Sequence, residues 1–245
     1  MATSSRLERP AFYALRPGGW RDFLTLLHPP YTAWHLSYVA IGAAVAPHVY
    51  GYRLAWTLVA FLLAVGVAAH ALDELHGRPL GTGLSSRTLV LLASGSLLGA
   101  IAIGVVGALS ISLWLFAFVA AGALLTIAYN LELFGGRMHS DLWFAFAWGA
   151  FPALTAFFVQ AQELRLDGIL VAAACMLLSV AQRRLSTPVR ELRRGTESVS
   201  GEQRLKDGRT LELDGARIAA PMEGALMACA AGIVLLAVGL VAARL

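Results

Sequence analysis

The residues best suited to chemistry are His70, Asp73 and Glu74, which stand where a long apolar run gives way to Leu75-His76-Gly77-Arg78-Pro79. If a helix persists through Glu74, the three side chains share one face at spacings of three and four. An imidazole and two carboxylates so placed could hold a divalent cation through nitrogen and oxygen ligands. Arg78 could meet an anionic group beside them. The same stretch also reads as an ordinary helix end, with a solvated acidic pair, a Gly77 cap and a stop before Pro79. A second polar segment, 129–141, carries Arg137 and Asp141. Asp73, Glu74, Arg78, Arg137 and Asp141 could line one polar mouth for an amphiphile with a charged head and a lipid tail. Ser140 or Asp141 equally suits the cap of a following helix, where a short acceptor or a carboxylate is favoured. Arg183, Arg184 and Arg190 form a third, basic cluster. A role as topological determinants explains most of that cluster more simply.

The elements that must position these residues are apolar. With 58% hydrophobic and 14% charged residues, a soluble fold would lack polar surface, so the composition indicates a membrane protein. About 20 apolar residues are needed per crossing. On that basis the expected spans are 31–49, 54–72, 88–109, 113–129, 142–159, 168–181 and 219–243. They would form one all-α helical bundle of about seven spans, 31–245, preceded by an arm and interfacial helix, 1–30. The span 168–181 is short enough to be a buried or re-entrant helix instead. Segment 20–27 places Trp20, Phe23, Leu24 and Leu27 on one face, as an in-plane interfacial helix would. Trp20, Trp34, Trp56, Trp114 and Trp143 fall near span ends and suit headgroup anchoring. In the long loop 183–217, an Asp207-Gly208 turn between short alternating arms predicts a small cytoplasmic hairpin, with a disordered loop as the competing reading.

Charge placement adds an orientation. Of the 19 Lys and Arg residues, all but Arg53, Arg165 and Arg244 fall in alternate loops. The positive-inside rule then puts the N-terminus in the cytoplasm, and a plasma membrane of a prokaryote is the expected setting. The cations sit beside apolar spans, which favours anionic membrane lipid over nucleic acid as their partner. Cys175 and Cys229 lie within spans and suggest no disulfide, and the first thirty residues lack the apolar core of a secretory signal. His35 and His70 inside spans raise a haem reading, but no pairing spacing supports it, and hydrogen-bonded histidine is the plainer account.

Taken in order, several stretches resemble the UbiA-type intramembrane prenyltransferases. Leu27-His28-Pro29-Pro30-Tyr31-Thr32, with Gly42, is similar to the opening of their first helix. Ala69-His70-Ala71-Leu72-Asp73-Glu74-Leu75-His76-Gly77-Arg78 falls where that family has its first aspartate-rich motif. Tyr129, Arg137, Asp141-Leu142, Gly149, Pro152 and Gln160 resemble the fourth-to-fifth loop and fifth helix. The resemblance covers most of 26–194. It implies transfer of a prenyl group from a polyprenyl diphosphate to a small or lipid acceptor at the cytoplasmic face. It also implies magnesium held by acidic motifs, here Asp73 and Glu74 with His70, and Arg78, Arg137, Asp141, Arg183 and Arg184 around the substrate. The family's second acidic motif is replaced by the basic run 181–191, and its usual nine spans by seven. A catalytically inactive relative that binds a lipid or partner protein in the same cavity is the alternative reading.

Overall fold

Apolar runs long enough to cross a bilayer become helices, because a helix pairs every interior backbone N–H and C=O within itself. The computed structural model describes residues 9–245 and follows that rule. Eight helices are present among the described residues: α1 (Trp20–Leu26), α2 (Pro29–Val45), α3 (Gly51–Leu75), α4 (Ser86–Ser110), α5 (Leu115–Asn130), α6 (Asp141–Ala161), α7 (Leu166–Gly195) and α8 (Gly215–Ala242). Two strands, β1 (Gly201–Arg204) and β2 (Thr210–Leu213), pair antiparallel as the expected hairpin, with Gly208 at φ 87° in its turn.

Five helices, α3, α4, α6, α7 and α8, are long and apolar enough to cross a membrane. That is two fewer than the seven expected spans. α2 has 17 residues and α5 has 16. The shortfall of α2 has a physical reason. It lies at the centre of the bundle, packed on α8, α6, α7 and α3, so protein rather than lipid surrounds it. Thr32, His35, Ser37 and Tyr38 are all buried on it, and their polarity lowers its hydropathy without exposing polar groups to hydrocarbon. At the periphery the reverse holds. Only 11% of the apolar window of α4 is buried, against 72% for α6, and α4 turns Val90, Leu91, Leu98, Val106 and Leu109 outward as a lipid-facing helix must.

Trp34 is a correction to the expected anchors. It is buried in the largest core cluster with Tyr38 and Ile41, where its ring N–H donates to the Tyr38 hydroxyl. Trp20, Trp56 and Trp114 do stand exposed. The expected short span 168–181 also differs: α7 runs 30 residues, through Pro188 to Gly195, and takes up the first part of the segment read as a loop. Helix is retained past the proline because the carboxyl-terminal half of α7 packs on α6 and α8 and is held by ion pairs: Arg183 Nε donates to Asp141 at 2.8 Å, and Arg193 Nε to Glu223 at 2.6 Å. Both cysteines are free.

Candidate functional site

Most of the arginines gather at one end of the bundle, and that end is hollow. A cavity of about 310 Å³ is walled by α2, α3, α5, α6 and α7 and roofed by residues 10–13. From α7 it receives Gln182, Arg183, Ser186, Val189, Arg190, Arg193 and Arg194, a single face at helical spacing. From α3 come Val65, Ala69, His70 and Asp73, and from α5 Tyr129 and Asn130. Every histidine of the chain except His48 lines it. Three stretches of wider, π-helical winding, 62–69, 146–150 and 191–195, each supply wall residues, as local helix distortions commonly do at functional sites.

The walls are hydrogen-bonded into the scaffold. His70 Nδ1 donates to the Gly66 carbonyl at 3.1 Å, and its ring stacks on His28 with centroids 4.1 Å apart. His28 Nδ1 and the Tyr13 hydroxyl are bonded at 2.8 Å. His139 Nδ1 donates to the Tyr129 carbonyl at 3.0 Å, and His35 Nε2 donates to the Gln182 side-chain oxygen at 3.1 Å. His28 caps α2 from a left-handed backbone conformation, φ 46°, directly before Pro29; such strain in a non-glycine residue persists where surrounding contacts enforce it. The arm over the cavity is tied down by Arg193 Nη1, which donates to the Arg9 carbonyl at 3.1 Å, and by Arg194 Nε, which donates to the Pro10 carbonyl at 3.0 Å. Residues 1–8 of the arm, including Arg6, lie outside the described residues.

Of the residues singled out from the sequence, Asp73, His70 and Arg183 line the cavity. Glu74 does not. Its carboxylate is fully buried and accepts from Leu80 N at 2.9 Å, Thr82 N at 2.8 Å and the Thr82 hydroxyl at 2.9 Å, so it organises the loop after α3. Arg78 is likewise engaged in that loop, donating to the Leu84 carbonyl and to the Ser86 hydroxyl at 2.8 Å. Arg137 and Arg184 are exposed and away from the cavity wall. Asp141 is exposed at the start of α6, where it accepts from Arg183 while Ser140 supplies the cap, its hydroxyl accepting from Trp143 N at 3.3 Å.

The expected magnesium set is therefore not assembled. Glu74 has both oxygens engaged by the 80–82 loop, and among the described residues no group of three or more His, Cys, Asp or Glu side chains stands in a metal-binding arrangement. Sequence reading missed Tyr13, His28, His139, Gln182, Arg193 and Arg194. The signal was present in the spacing of 182, 183, 186, 190, 193 and 194, which falls on one face once the helix is continued through Pro188.

A second cavity, of about 620 Å³ and almost wholly apolar, opens between α3, α4, α5 and α6. Phe61, Ile101, Phe118, Val119 and Phe151 are among its walls, and Tyr52, Arg53 and Trp56 edge it at the far end. Val65 and Trp148 line both cavities, so the apolar space adjoins the polar one at these two side chains.

His28 makes the polar end sensitive to acid. Burial first, then its neighbour His70, followed by Arg194, Arg190 and His35, hold its imidazole well below the usual range of about 6.5. In the unfolded chain it titrates normally. The unfolded state therefore takes up a proton that the folded state refuses as the pH falls through 6.5, and stability is lost in that direction. Thermal unfolding in detergent is expected to move to lower temperature between about pH 7.5 and 5.5, and to move less in His28→Gln. A melting temperature with the same pH slope in the variant would remove His28 as the cause.

No protein-family model, curated protein or solved structure matches this chain. Fold and cavities alone define its class: a mostly helical bundle with five helices suited to crossing a membrane, enclosing a polar chamber rich in arginine and histidine beside an apolar one.

Proposed function

We propose that the protein binds an amphiphile with a phosphorylated head and a long apolar tail, and that it is a UbiA-like integral membrane prenyltransferase acting on a polyprenyl diphosphate at the cytoplasmic face. The observation that carries this reading is the adjacency of the two cavities. Arg183, Arg190, Arg193 and Arg194 line a polar space sized for a head group, and an apolar space twice as large begins at Val65 and Trp148. Arginine suits phosphate oxygens because its planar fork donates several N–H bonds at once and does not deprotonate. In this reading the guanidiniums carry the charge that develops on a departing diphosphate, the tail lies among the aromatic and aliphatic side chains of α3 to α6, and the residues 10–13 exclude water from above. The bias of Lys and Arg toward one end supports a cytoplasmic placement of the polar cavity and seven crossings, with α2 and α5 as the two short ones shielded by their neighbours.

A second reading has its own support. Glu74 is committed to the 80–82 loop and no acidic ligand set is formed among the described residues, as expected for a relative that binds such a lipid, or a partner protein, without turning it over.

The test uses the full chain in lipid nanodiscs and a non-hydrolysable thiolodiphosphate analogue of a C20 prenyl donor. Saturable binding is expected, weakened about tenfold or more in Arg190→Gln because a charge-assisted bond contributes about 1.5–3 kcal/mol. Absence of binding at micromolar analogue would sink the prenyltransferase reading and the lipid-binding form of the second, leaving only a partner protein. Binding without release of diphosphate from the authentic donor, with or without magnesium, would leave the inactive relative.

A further inference from the structure

The roof of the polar cavity is a small unit of its own. Within residues 9–14, Ala14 N donates to the Ala11 carbonyl at 3.0 Å and Arg9 Nη1 to the Ala14 carbonyl at 3.2 Å, so the segment folds back on itself. It joins α1 through Leu15, whose N–H donates to the Thr25 hydroxyl at 3.0 Å. Its apolar support is slight: Ala11 and Ala14 cluster with Leu80, and the rings of Phe12 and Tyr13 stand edge-on to Tyr31 with centroids 6.2 and 5.5 Å apart. Its polar support is the Tyr13 hydroxyl on His28 Nδ1 and the Arg9 and Pro10 carbonyls on Arg193 and Arg194. A segment held by a few apolar contacts and hydrogen bonds to neutral carbonyls opens at modest cost, as the moving parts of binding sites do.

Two of those supports come from residues that also line the cavity. Of its four arginines, Arg183 pairs with Asp141 and Arg193 with Glu223, whereas Arg190 and Arg194 donate to neutral oxygens, the Thr187 hydroxyl at 3.1 Å and the Pro10 carbonyl at 3.0 Å. Asp73 and Glu132 line the space as well, and Glu132 stands 4.0 Å from His76 and 3.7 Å from His139. An anion is therefore drawn to the Arg190 and Arg194 side, which no ion pair among the described residues satisfies. A charged head has no route through the apolar cavity, where it would lose its water without gaining a partner. It enters at the polar end, where residues 10–13 form the roof. Arg194 gives one of its five N–H donors to that roof. An anion that engages others fixes the guanidinium where the roof needs it, so the side chain loses its freedom once for both contacts.

We propose that residues 9–14 are a lid latched by the cavity's own arginines, and that an anion bound at Arg190 and Arg194 holds the lid shut over itself. This rests on the anion-binding part of the function proposed above and applies to a free or a lipid-borne phosphate alike. The coupling is reciprocal, so whatever loosens the lid also weakens the hold on the anion.

Lid opening is read in the full chain, in lipid nanodiscs, as the rate at which a water-soluble maleimide alkylates a thiol placed under the lid. Ala11→Cys supplies it at a position 6% exposed, with Cys229→Ala to remove the exposed native thiol; Ala14→Cys, at 1%, is the second position should the first disturb the fold. Ser198→Cys, exposed between α7 and β1, is the uncovered reference. The covered thiol is expected to react at least about tenfold more slowly than the reference. Saturating C20 thiolodiphosphate analogue should slow it about fivefold or more again, the low end of ordinary coupling between two sites. Leu80→Ala and Tyr13→Phe leave every arginine in place and should speed both alkylation and release of the analogue, about fivefold for the one neutral hydrogen bond lost in Tyr13→Phe. Covered thiols that react as fast as the reference in the free protein would show that there is no lid. Bound analogue with an unchanged rate would remove the coupling, and a faster rate would mean that anion and lid compete for Arg194; either overturns the proposal. Inorganic pyrophosphate separates its failure from that of the lipid reading. If the analogue does not bind and pyrophosphate slows alkylation, the lid stands and the prenyl diphosphate falls; if the analogue does not bind and pyrophosphate leaves the rate unchanged, both fall.

Discussion

Gly42→Ala is expected to abolish the folded bundle. An added Cβ at position 42 would stand 2.1 Å from the Ala153 carbonyl oxygen and 2.8 Å from the Ala153 Cα, inside the backbone of α6. A flexible side chain could turn aside; a backbone carbonyl in the helix that packs most closely on α2 cannot. The two helices must part, and with them the wall that carries Trp34, Tyr38, Ala150 and Ala153 in the main core cluster. Overpacking of a tight core costs about 1–3 kcal/mol even where side chains can yield, and here the obstacle is main chain, so the cost belongs at or beyond the upper end. Gly232→Ala is the control, because a Cβ there meets nothing within 4 Å on the exposed side of α8. The yield of monodisperse protein in mild detergent and its melting temperature are the measurements. A Gly42→Ala protein that melts within a degree or two of the parent would show that α2 and α6 do not cross as closely as described.

The second large effect separates two neighbouring carboxylates. Glu74→Gln is expected to destabilise the protein by about 3 kcal/mol, from one lost charge-assisted bond and one stranded donor, since either orientation of the amide turns an N–H toward Leu80 N or Thr82 N. Asp73→Asn should leave stability little changed, because Asp73 faces the cavity and holds no part of the loop. Its effect should fall on ligand binding instead. The pair of melting curves, with analogue binding measured on the same samples, decides the matter. If Asp73→Asn melts early and Glu74→Gln does not, the roles given to these residues are reversed.

These two residues also mark how far the sequence could be read. His70, Asp73 and Glu74 were visible as an ionisable cluster at the end of an apolar run, and Asp73 does face a cavity. That adjacent Glu74 turns into a loop six to eight residues further on was not visible. The donors that claim it are backbone N–H groups of Leu80 and Thr82, and backbone groups carry no signature in a sequence. Arg78 was lost to the site for the same reason, through the Leu84 carbonyl. Arg183, Arg190, Arg193 and Arg194 were legible as a cluster but not as a face, because the apolar run ends near 181 and the residues after it read as a loop, whereas packing on α6 and α8 keeps the helix going.

What the sequence by itself determined is the class of fold. Apolar runs, the near absence of charge within them and the one-sided placement of Arg and Lys follow from local composition, and a bilayer sorts local composition directly. Even the hairpin is written locally, in Asp207-Gly208 between its two arms. Tertiary structure alone decided which helix became central, which polar side chains shared a cavity, and which were consumed by the scaffold. Those outcomes depend on contacts such as His35 with Gln182 and Arg193 with Glu223, between residues far apart in the chain, and on backbone partners that every residue offers alike.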